Sequence, residues 1–560
     1  MKITGAQAVI QSLINEKVEV IFGYPGGANM PIYDALYDYQ NKIRHVLVRH
    51  EQGAAHAAEG YARVSEKVGV CFATSGPGAT NLVTGIADAM MDSVPLVCIT
   101  GQVPVSVVGT DAFQETDVIG ITTSITKWNY QITSAQEIAD VFAKAFYIAR
   151  TGRPGPVVID ITKNAQFEEV DFSYPKNFSL KKYQELNKFN QEKIEKAADI
   201  INQSKRPLII AGHGVIISLA QNELLKLAEK ANLPIAVTLH GLSTIPVNHP
   251  LYVGMVGMHG NYAVNKLTNQ ADLIIGVGMR FDDRVTGVLS KYAPKAKVIH
   301  IDIDEAEIDK NVKTTVSLVG DAKEVLISLL PHIKKNSHKD WFFEFEKLGK
   351  GEKRFHQKRE EKFKDKITMD KVFEILSKKT NGKAIIVADV GQNQMFAAKY
   401  YQYKIFNSYI TSGGLGTMGF ALPASIGVQL AKPTDLVIAS CGDGGLQMTI
   451  QELGTIMQEK LPIKILLLNN SYLGMVRQWQ DLFFDKRYSF TYMENPDFLK
   501  IASGYGIKGK RVNDFSQLEK SLEEFINEKS AYLLEVIVEK EHNVFPMVPQ
   551  GAAVDEVRLE

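Results

Sequence analysis

The segment Ala439-Ser440-Cys441-Gly442-Asp443-Gly444-Gly445 places a carboxylate among glycines at the end of an apolar run, and a second apolar run ends in Asn469-Asn470. Asp443 and the side-chain carbonyl of Asn470 are hard oxygen donors suited to Mg²⁺, which takes a few protein oxygens and fills its remaining positions with phosphate and water. The glycines serve a separate purpose. Gly442, Gly444 and Gly445 let backbone N–H groups approach a diphosphate at the start of a helix predicted over 446–460, where the helix dipole also favours negative charge. Gly-Asp-Gly by itself is more often a plain strand-to-helix turn, since such tripeptides are common. The asparagine pair roughly 25 residues later, again after an apolar run, argues for two strand ends that share a ligand.

Strand ends need sheets behind them. Short β-branched runs followed by small or polar residues and then helical patterns recur at 46–48, 68–73, 95–100, 208–211, 273–277, 298–303, 385–388, 436–439 and 465–468. This alternation predicts an α/β fold of doubly wound parallel sheets with crossover helices. Ligands of such sheets sit beyond the carboxyl ends of the strands, so the glycine and charged clusters there are the places to look for chemistry. Two breaks divide the chain into thirds, one at 167–190 and a stronger one at 334–366, where Lys, Glu, Arg and His crowd together. The predicted units are 1–166, 190–332 and 368–545, with a charged linker at 333–367 and a tail at 546–560. The linker is expected to be partly helical, its Phe and Trp residues covering a neighbouring domain. The outer thirds are candidates for a shared fold.

At 560 residues the chain is too long for one core, and at roughly 150 residues per domain three units are expected. Its 63 basic and 63 acidic residues cancel, so no overall field attracts nucleic acid or an anionic membrane, and any bound polyanion must be held locally. Cys71, Cys98 and Cys441 each lie in an apolar run without a C-x-x-C pair, which predicts core packing in a reducing compartment. No apolar stretch approaches the roughly 20 residues that span a bilayer. With no signal or transit pattern at the start, the expected location is the cytoplasm.

Gly-Asp-Gly followed by Asn-Asn resembles the diphosphate and magnesium signature of thiamin-diphosphate enzymes. Further segments narrow the likeness: Tyr24-Pro25-Gly26-Gly27, the Arg49-His50-Glu51-Gln52-Gly53 run, Ser75-Gly76-Pro77-Gly78-Ala79-Thr80-Asn81, Phe113-Gln114, Gly152-Arg153-Pro154-Gly155-Pro156, Gly257-Met258-His259-Gly260, Arg280-Phe281-Asp282-Asp283-Arg284, Gly414-Leu415-Gly416-Thr417-Met418 and Met475-Val476-Arg477-Gln478-Trp479. In this order, and over essentially the whole chain, they are similar to the catalytic large subunits of biosynthetic, FAD-containing acetohydroxyacid (acetolactate) synthases. The resemblance implies a pyrimidine-binding domain, a central FAD-binding domain and a diphosphate-binding domain. It also implies that pyruvate is decarboxylated on thiamin diphosphate and condensed with pyruvate or 2-ketobutyrate, giving 2-acetolactate or 2-aceto-2-hydroxybutyrate for valine, leucine and isoleucine synthesis.

The same resemblance implies roles for particular residues. Glu51, which alone would read as a first-turn carboxylate favoured by the helix dipole, is to hydrogen-bond the aminopyrimidine ring. Met418, otherwise ordinary core packing, is to wedge between the cofactor rings. Gln114, Lys163 and Arg284 are to surround a 2-ketoacid, whose carboxylate needs cations. Trp479, by itself more often structural, is to narrow the acceptor pocket in favour of 2-ketobutyrate. Tyr24, Pro25, Gly26, Gly391, Gln392, Asn393 and Met475 join the thiamin site. The FAD site is expected from Arg153, Gly212, Gly214, Thr238, Leu239, Met258, His259, Gly260, Gly278, Arg280, Asp302 and Asp321. The family usually reads Gly-Gln-His-Gln-Met where this chain has Gly391-Gln392-Asn393-Gln394-Met395; Asn393 can donate a hydrogen bond to phosphate but cannot become a cation. Expected partners are a second copy, as a homodimer or dimer of dimers with the site between subunits, and a small regulatory subunit. The alternatives are a flavin-dependent oxidase such as pyruvate oxidase, which Trp479 and the 280–287 segment oppose; a glyoxylate carboligase, which lacks the glutamate; and a non-catalytic scaffold, which retention of Glu51, Asp443 and Asn470 opposes.

Overall fold

Every one of the nine β-branched runs forms a strand, in a computed structural model that describes residues 2–180 and 190–560. Residues 181–189 of the first predicted break lie outside the described residues. The strands are buried on both faces, which is why they read as continuous apolar runs and not as alternating ones: Leu208 to Ile210, Ile385 to Val387 and Ile465 to Leu468 are almost wholly inaccessible.

They assemble into three six-stranded sheets in which all strands are parallel. The first has the order Arg44–Leu47, Val20–Gly23, Gly69–Ala73, Leu96–Gln102, Pro156–Thr162, Trp128–Ile132. The third repeats that order with Tyr409–Thr411, Ile385–Ala388, Val437–Gly442, Lys464–Asn469, Tyr532–Ile537, Lys508–Val512. The outer thirds therefore share a topology. The central sheet differs: Tyr252–Met255, Ile235–Val237, Pro207–Ala211, Leu273–Val277, Lys297–Asp302, Val316–Val319 is the 3-2-1-4-5-6 winding of dinucleotide-binding folds. In each sheet the winding reverses between two adjacent strands, opening a crevice at their carboxyl ends. In the third domain those ends carry Gly391 and Gly442; in the central domain they carry Gly212 and Gly278.

A short antiparallel pair, Lys2–Thr4 with Glu169–Asp171, carries the packing of the first domain past residue 166. The helix Lys339–Lys362 occupies the charged linker. Its Trp341 and Phe345 are buried in the central core, and Trp341 Nε1 donates to Pro207 O at 2.8 Å. The tail returns to the central domain, where Val548 N donates to Met258 O at 2.7 Å and Val288 N to Ala552 O at 3.1 Å. The helix expected over 446–460 is instead two pieces, Asp443–Met448 and Leu453–Glu459. Thr449 interrupts it, its hydroxyl donating to Gly419 O at 2.8 Å, and the turn that follows aims Glu452 at the first domain. Among the described residues no helix is long and apolar enough to cross a membrane.

Candidate active site

The crevice of the third sheet is built by glycines that have nothing in front of them. A Cβ added to Gly391, Gly416 or Gly442 would come no closer than 3.6 Å to any atom, and Gly391 and Gly416 have φ of 133° and 76°. Such space beside exposed backbone is what a diphosphate requires. Gly444 and Gly445 serve closeness instead. A Cβ on Gly445 would lie 2.4 Å from Asp389 Oδ1, and one on Gly444 would lie 3.3 Å from the Met418 methyl. Asn393 is buried between Gly391 and Gly442 and donates to Ser440 O at 2.9 Å. One of its two amide hydrogens remains for phosphate.

Asp443 opens its short helix with Gly442 as the N-cap, and burial pushes its carboxyl up to about 6 against a hydrogen bond from Asn495. Asn495 Nδ2 donates to Asp443 Oδ2 at 2.7 Å and to Asn469 Oδ1 at 3.1 Å, tying the two strand ends together. Asn470 Nδ2 donates to Gln392 Oε1 at 3.3 Å, and Gln392 Nε2 to Gln478 Oε1 at 3.1 Å. A carboxylate forced to be buried beside amide oxygens is an arrangement that a divalent cation relieves.

A continuous cavity of about 520 Å³ runs from this crevice into the central domain. Gly391, Gly416, Met418, Met475 and Trp479 line one end. Arg153, Gly214, Thr238, Leu239, Gly278 and Arg280 line the other, with Met258, His259, Arg284, Asp302 and Asp321. Gly212 and Gly260 are not on its wall. Gly212 and Gly214 press on the Gly278 turn, where added Cβ atoms would lie 2.4 Å from Gly278 O and 2.6 Å from its Cα, so these glycines permit contact between strand ends. Arg153 Nη1 meets Glu307 Oε1 at 2.9 Å and Asp304 Oδ2 at 3.3 Å, while its Nε donates to Ser93 Oγ at 2.9 Å. Burial raises Asp302 to about 6 and lowers His259 to about 3. His259 Nδ1 and Trp479 Nε1 are buried on this wall without a hydrogen bond.

Glu51 begins the helix Glu51–Ser65 and is 9% exposed, its Oε2 accepting from Asn81 Nδ2 at 2.9 Å. Gly78 faces its other oxygen, and Gly76 lies against the backbone of Gln114, whose φ is 60°. Lys163 starts the helix that follows the strand Pro156–Thr162, like Glu51 beyond the carboxyl ends of that sheet's strands. Tyr24 and Pro25 are exposed and Gly26 packs on Thr74. None of these first-domain residues lines the large cavity.

Comparison with known proteins decides what this arrangement belongs to. Residues 3–121 match the family described as thiamine pyrophosphate enzyme, N-terminal TPP binding domain; 194–329 match the central domain; and 389–536 match the C-terminal TPP binding domain. The chain is 47% identical to a probable acetolactate synthase large subunit of Methanocaldococcus jannaschii, over 99% of this chain and 95% of that one. It is 45% identical to the acetolactate synthase large subunit of Corynebacterium glutamicum, over 100% and 90%, and 44% identical to the acetolactate synthase isozyme 2 large subunit of Escherichia coli K12, over 99% of each. The chain belongs to the thiamine pyrophosphate enzymes, among the acetolactate synthase large subunits.

For a thiamine pyrophosphate enzyme the open glycines and the buried Asp443 fit the diphosphate and its metal. The Rossmann winding and the unsatisfied His259 fit a dinucleotide in the central domain. Several residues that shape this site escaped the sequence reading. Asp389 accepts from Gly419 N at 3.0 Å and Ala421 N at 3.1 Å, fixing the turn after Met418. It directly follows the strand Ile385–Ala388, so the rule of looking beyond strand ends could have found it. Asn495 lies in irregular chain, with no local signal.

Proposed function

We infer that this chain catalyses acetolactate synthesis: decarboxylation of pyruvate and condensation of the retained two-carbon unit with a second 2-ketoacid, the first common step toward the branched-chain amino acids. The observation that carries this reading is the pairing of a glycine-lined diphosphate cradle with Asp443 and Asn470, in a chain related along its full length to acetolactate synthase large subunits. Bound thiamin diphosphate supplies the carbon nucleophile and the electron sink that decarboxylation needs. The chain's residues do the rest. Asp443 and the Asn470 carbonyl would hold Mg²⁺, which would neutralise the diphosphate charge. Glu51 holds the pyrimidine by a hydrogen bond and manages its proton. Met418, on the cavity wall beside Gly444, would pack against the rings of the bound cofactor. Arg284 and Lys163 attract the carboxylates of pyruvate and 2-ketobutyrate, Gln114 orients a polar group, and Trp479 narrows the acceptor space. Arg153, Arg280, Asp302 and Asp321, at the central end of the cavity, would hold FAD. The working unit is a homodimer or dimer of dimers in the cytoplasm, joined by a small regulatory subunit.

The shared cavity also suits an oxidase, in which electrons pass from the thiamin end to a flavin at the other. Product analysis separates the two. Purified protein with pyruvate, thiamin diphosphate, Mg²⁺ and FAD is expected to form acetohydroxyacids equally in air and under anaerobic conditions, with added 2-ketobutyrate drawn preferentially into product. Oxygen-dependent acetate or acetyl phosphate with peroxide would sink the synthase reading.

A further inference from the structure

The helix Val83–Asp92 ends where the three domains meet, and its last residue touches all of them. Asp92 is buried. Its Oδ2 accepts from Arg63 Nη2 at 2.7 Å and from Gly413 N at 3.0 Å; its Oδ1 accepts from Gly414 N at 2.7 Å and lies 3.0 Å from His240 Nε2. Its backbone carbonyl lies 3.1 Å from His213 Nδ1. Burial opposes ionisation here, but His240 and Arg63 hold the carboxyl well below the usual carboxylate range.

His240 belongs to both ends of the cavity. Its ring stacks on His213 with centroids 5.2 Å apart, and both rings line the dinucleotide end. The same ring presses on the third domain so closely that a Cβ on Gly413 would lie 2.2 Å from Nε2. Gly413 opens the turn that shapes the diphosphate cradle. Within it, Ser412 Oγ accepts from Gly416 N at 3.1 Å and Thr417 N at 2.8 Å while donating to Asp88 Oδ1 at 2.5 Å. The turn thus hangs from two carboxylates of one helix, and only the Asp92 attachment also grips the central domain.

We propose that Asp92 and His240 form a positioning link through which a dinucleotide in the central end of the cavity fixes the 413–418 turn, so that FAD and thiamin diphosphate bind cooperatively. The link rests on the proposed assignment of those two cofactors to the two ends. A dinucleotide packed on the His213–His240 stack restrains a ring that cannot shift without moving Gly413 or releasing Asp92. That turn presents Gly416 to the diphosphate and Met418 to the cofactor rings. Order established at one end is then order that need not be established at the other, which is positive coupling, equal in both directions. A flavin would so serve a reaction with no net redox change, without any electron moving.

Equilibrium binding tests this without turnover. Calorimetric titration of the flavin-free protein with thiamin diphosphate and Mg²⁺, alone and with saturating FAD, is expected to give affinities that differ about 5- to 100-fold in the wild type, with the same factor for FAD when the order is reversed. In Gly413→Ala and in His240→Gln, which attack the link from opposite sides, that ratio is expected to fall to about 1, with FAD binding alone reporting that each variant is folded. Ser412→Ala, on the Asp88 side, is expected to weaken thiamin diphosphate binding while keeping the FAD-dependent ratio. Flavin binding without coupling in the wild type, or an undiminished ratio in a folded link variant, would overturn the link alone. A wild-type protein that takes up no FAD would overturn the flavin assignment and the link with it.

Discussion

At the scale of single residues, Glu51 is held ready and not saturated. One carboxylate oxygen accepts from Asn81 at 2.9 Å and the other lies beside Gly78, where a Cβ would be 3.3 Å away. Replacing Glu51 by Gln keeps the size and one acceptor but removes a proton-handling group, whose loss typically costs on the order of 10² to 10⁴ in rate. Turnover of Glu51→Gln is expected to fall by that factor, with the rate of deuterium exchange at the thiazolium C2 of the bound cofactor falling alongside; unchanged exchange would remove Glu51 from the chemistry. The residues that could be read from sequence were those whose chemistry is local. Asp443 and Asn470 sit at strand ends, flanked by glycine or a second amide, and both lie at the third-domain crevice. Asp92, Ser412 and Asn495 were not legible, because an Asp at the end of a helix or an Asn in a loop gains meaning only from partners more than 20 residues away.

At the scale of elements, the helix Glu51–Ser65 is positioned by two contacts with the third domain. Against Ala421–Ala431 it packs backbone to backbone: a Cβ on Gly60 would lie 2.0 Å from Ala424 O, and one on Gly427 would lie 1.8 Å from Ala57 O. Gly60→Ala must push the helices apart, and overpacking of this kind costs about 1–3 kcal/mol. A lowered melting temperature and weaker thiamin diphosphate binding are expected together; a melting curve that does not move would show the crossing to be loose. The second contact is Glu452, which accepts from Arg49 N at 3.1 Å and Thr455 Oγ1 at 2.7 Å, directly beneath the start of that helix. Burial raises its carboxyl from 4.5 to about 7. With the folded value above the unfolded one, its contribution is fully present below pH 4.5 and is lost as pH rises through about 7, up to about 3 kcal/mol. Glu452→Gln should therefore shrink the loss of unfolding stability between pH 5 and pH 8 by about that amount, read from denaturant midpoints. An identical pH profile in the variant would count against a buried, charge-averse Glu452. Strand periodicity made the sheets legible, since burial on both faces leaves unbroken apolar runs. The interrupted helix after Asp443 was not, because its break answers to Gly419 and Arg49 in distant parts of the chain.

At the scale of the molecule, Glu51 and the glycine cradle stand on different domains, and the homodimer proposed above would join them across two chains. Glu51 lies outside the cavity that Gly391, Gly416 and Met418 line. Large apolar side chains stand exposed near each half: Tyr24 and Phe113 on the first domain, and Phe484, Phe490 and Tyr492 beyond Trp479 on the third, with Phe113 at 88% and Phe490 at 99% exposure. Exposed aromatics in such number are what a partner surface would cover. In the proposed homodimer, a second copy related by twofold symmetry would cover both and bring the first domain of one chain to the third domain of the other. That geometry makes a prediction no single-chain site can match. Glu51→Gln and Asp443→Ala damage opposite halves, so each variant alone is expected to be inactive. Co-expressed and randomly paired, they should recover roughly a quarter of wild-type activity, because about half of the dimers are mixed and each mixed dimer holds one intact site and one doubly damaged one. Sites built within one chain would leave every subunit broken and the mixture dead, so recovered activity in the mixture, set against none in either parent, distinguishes the two architectures directly.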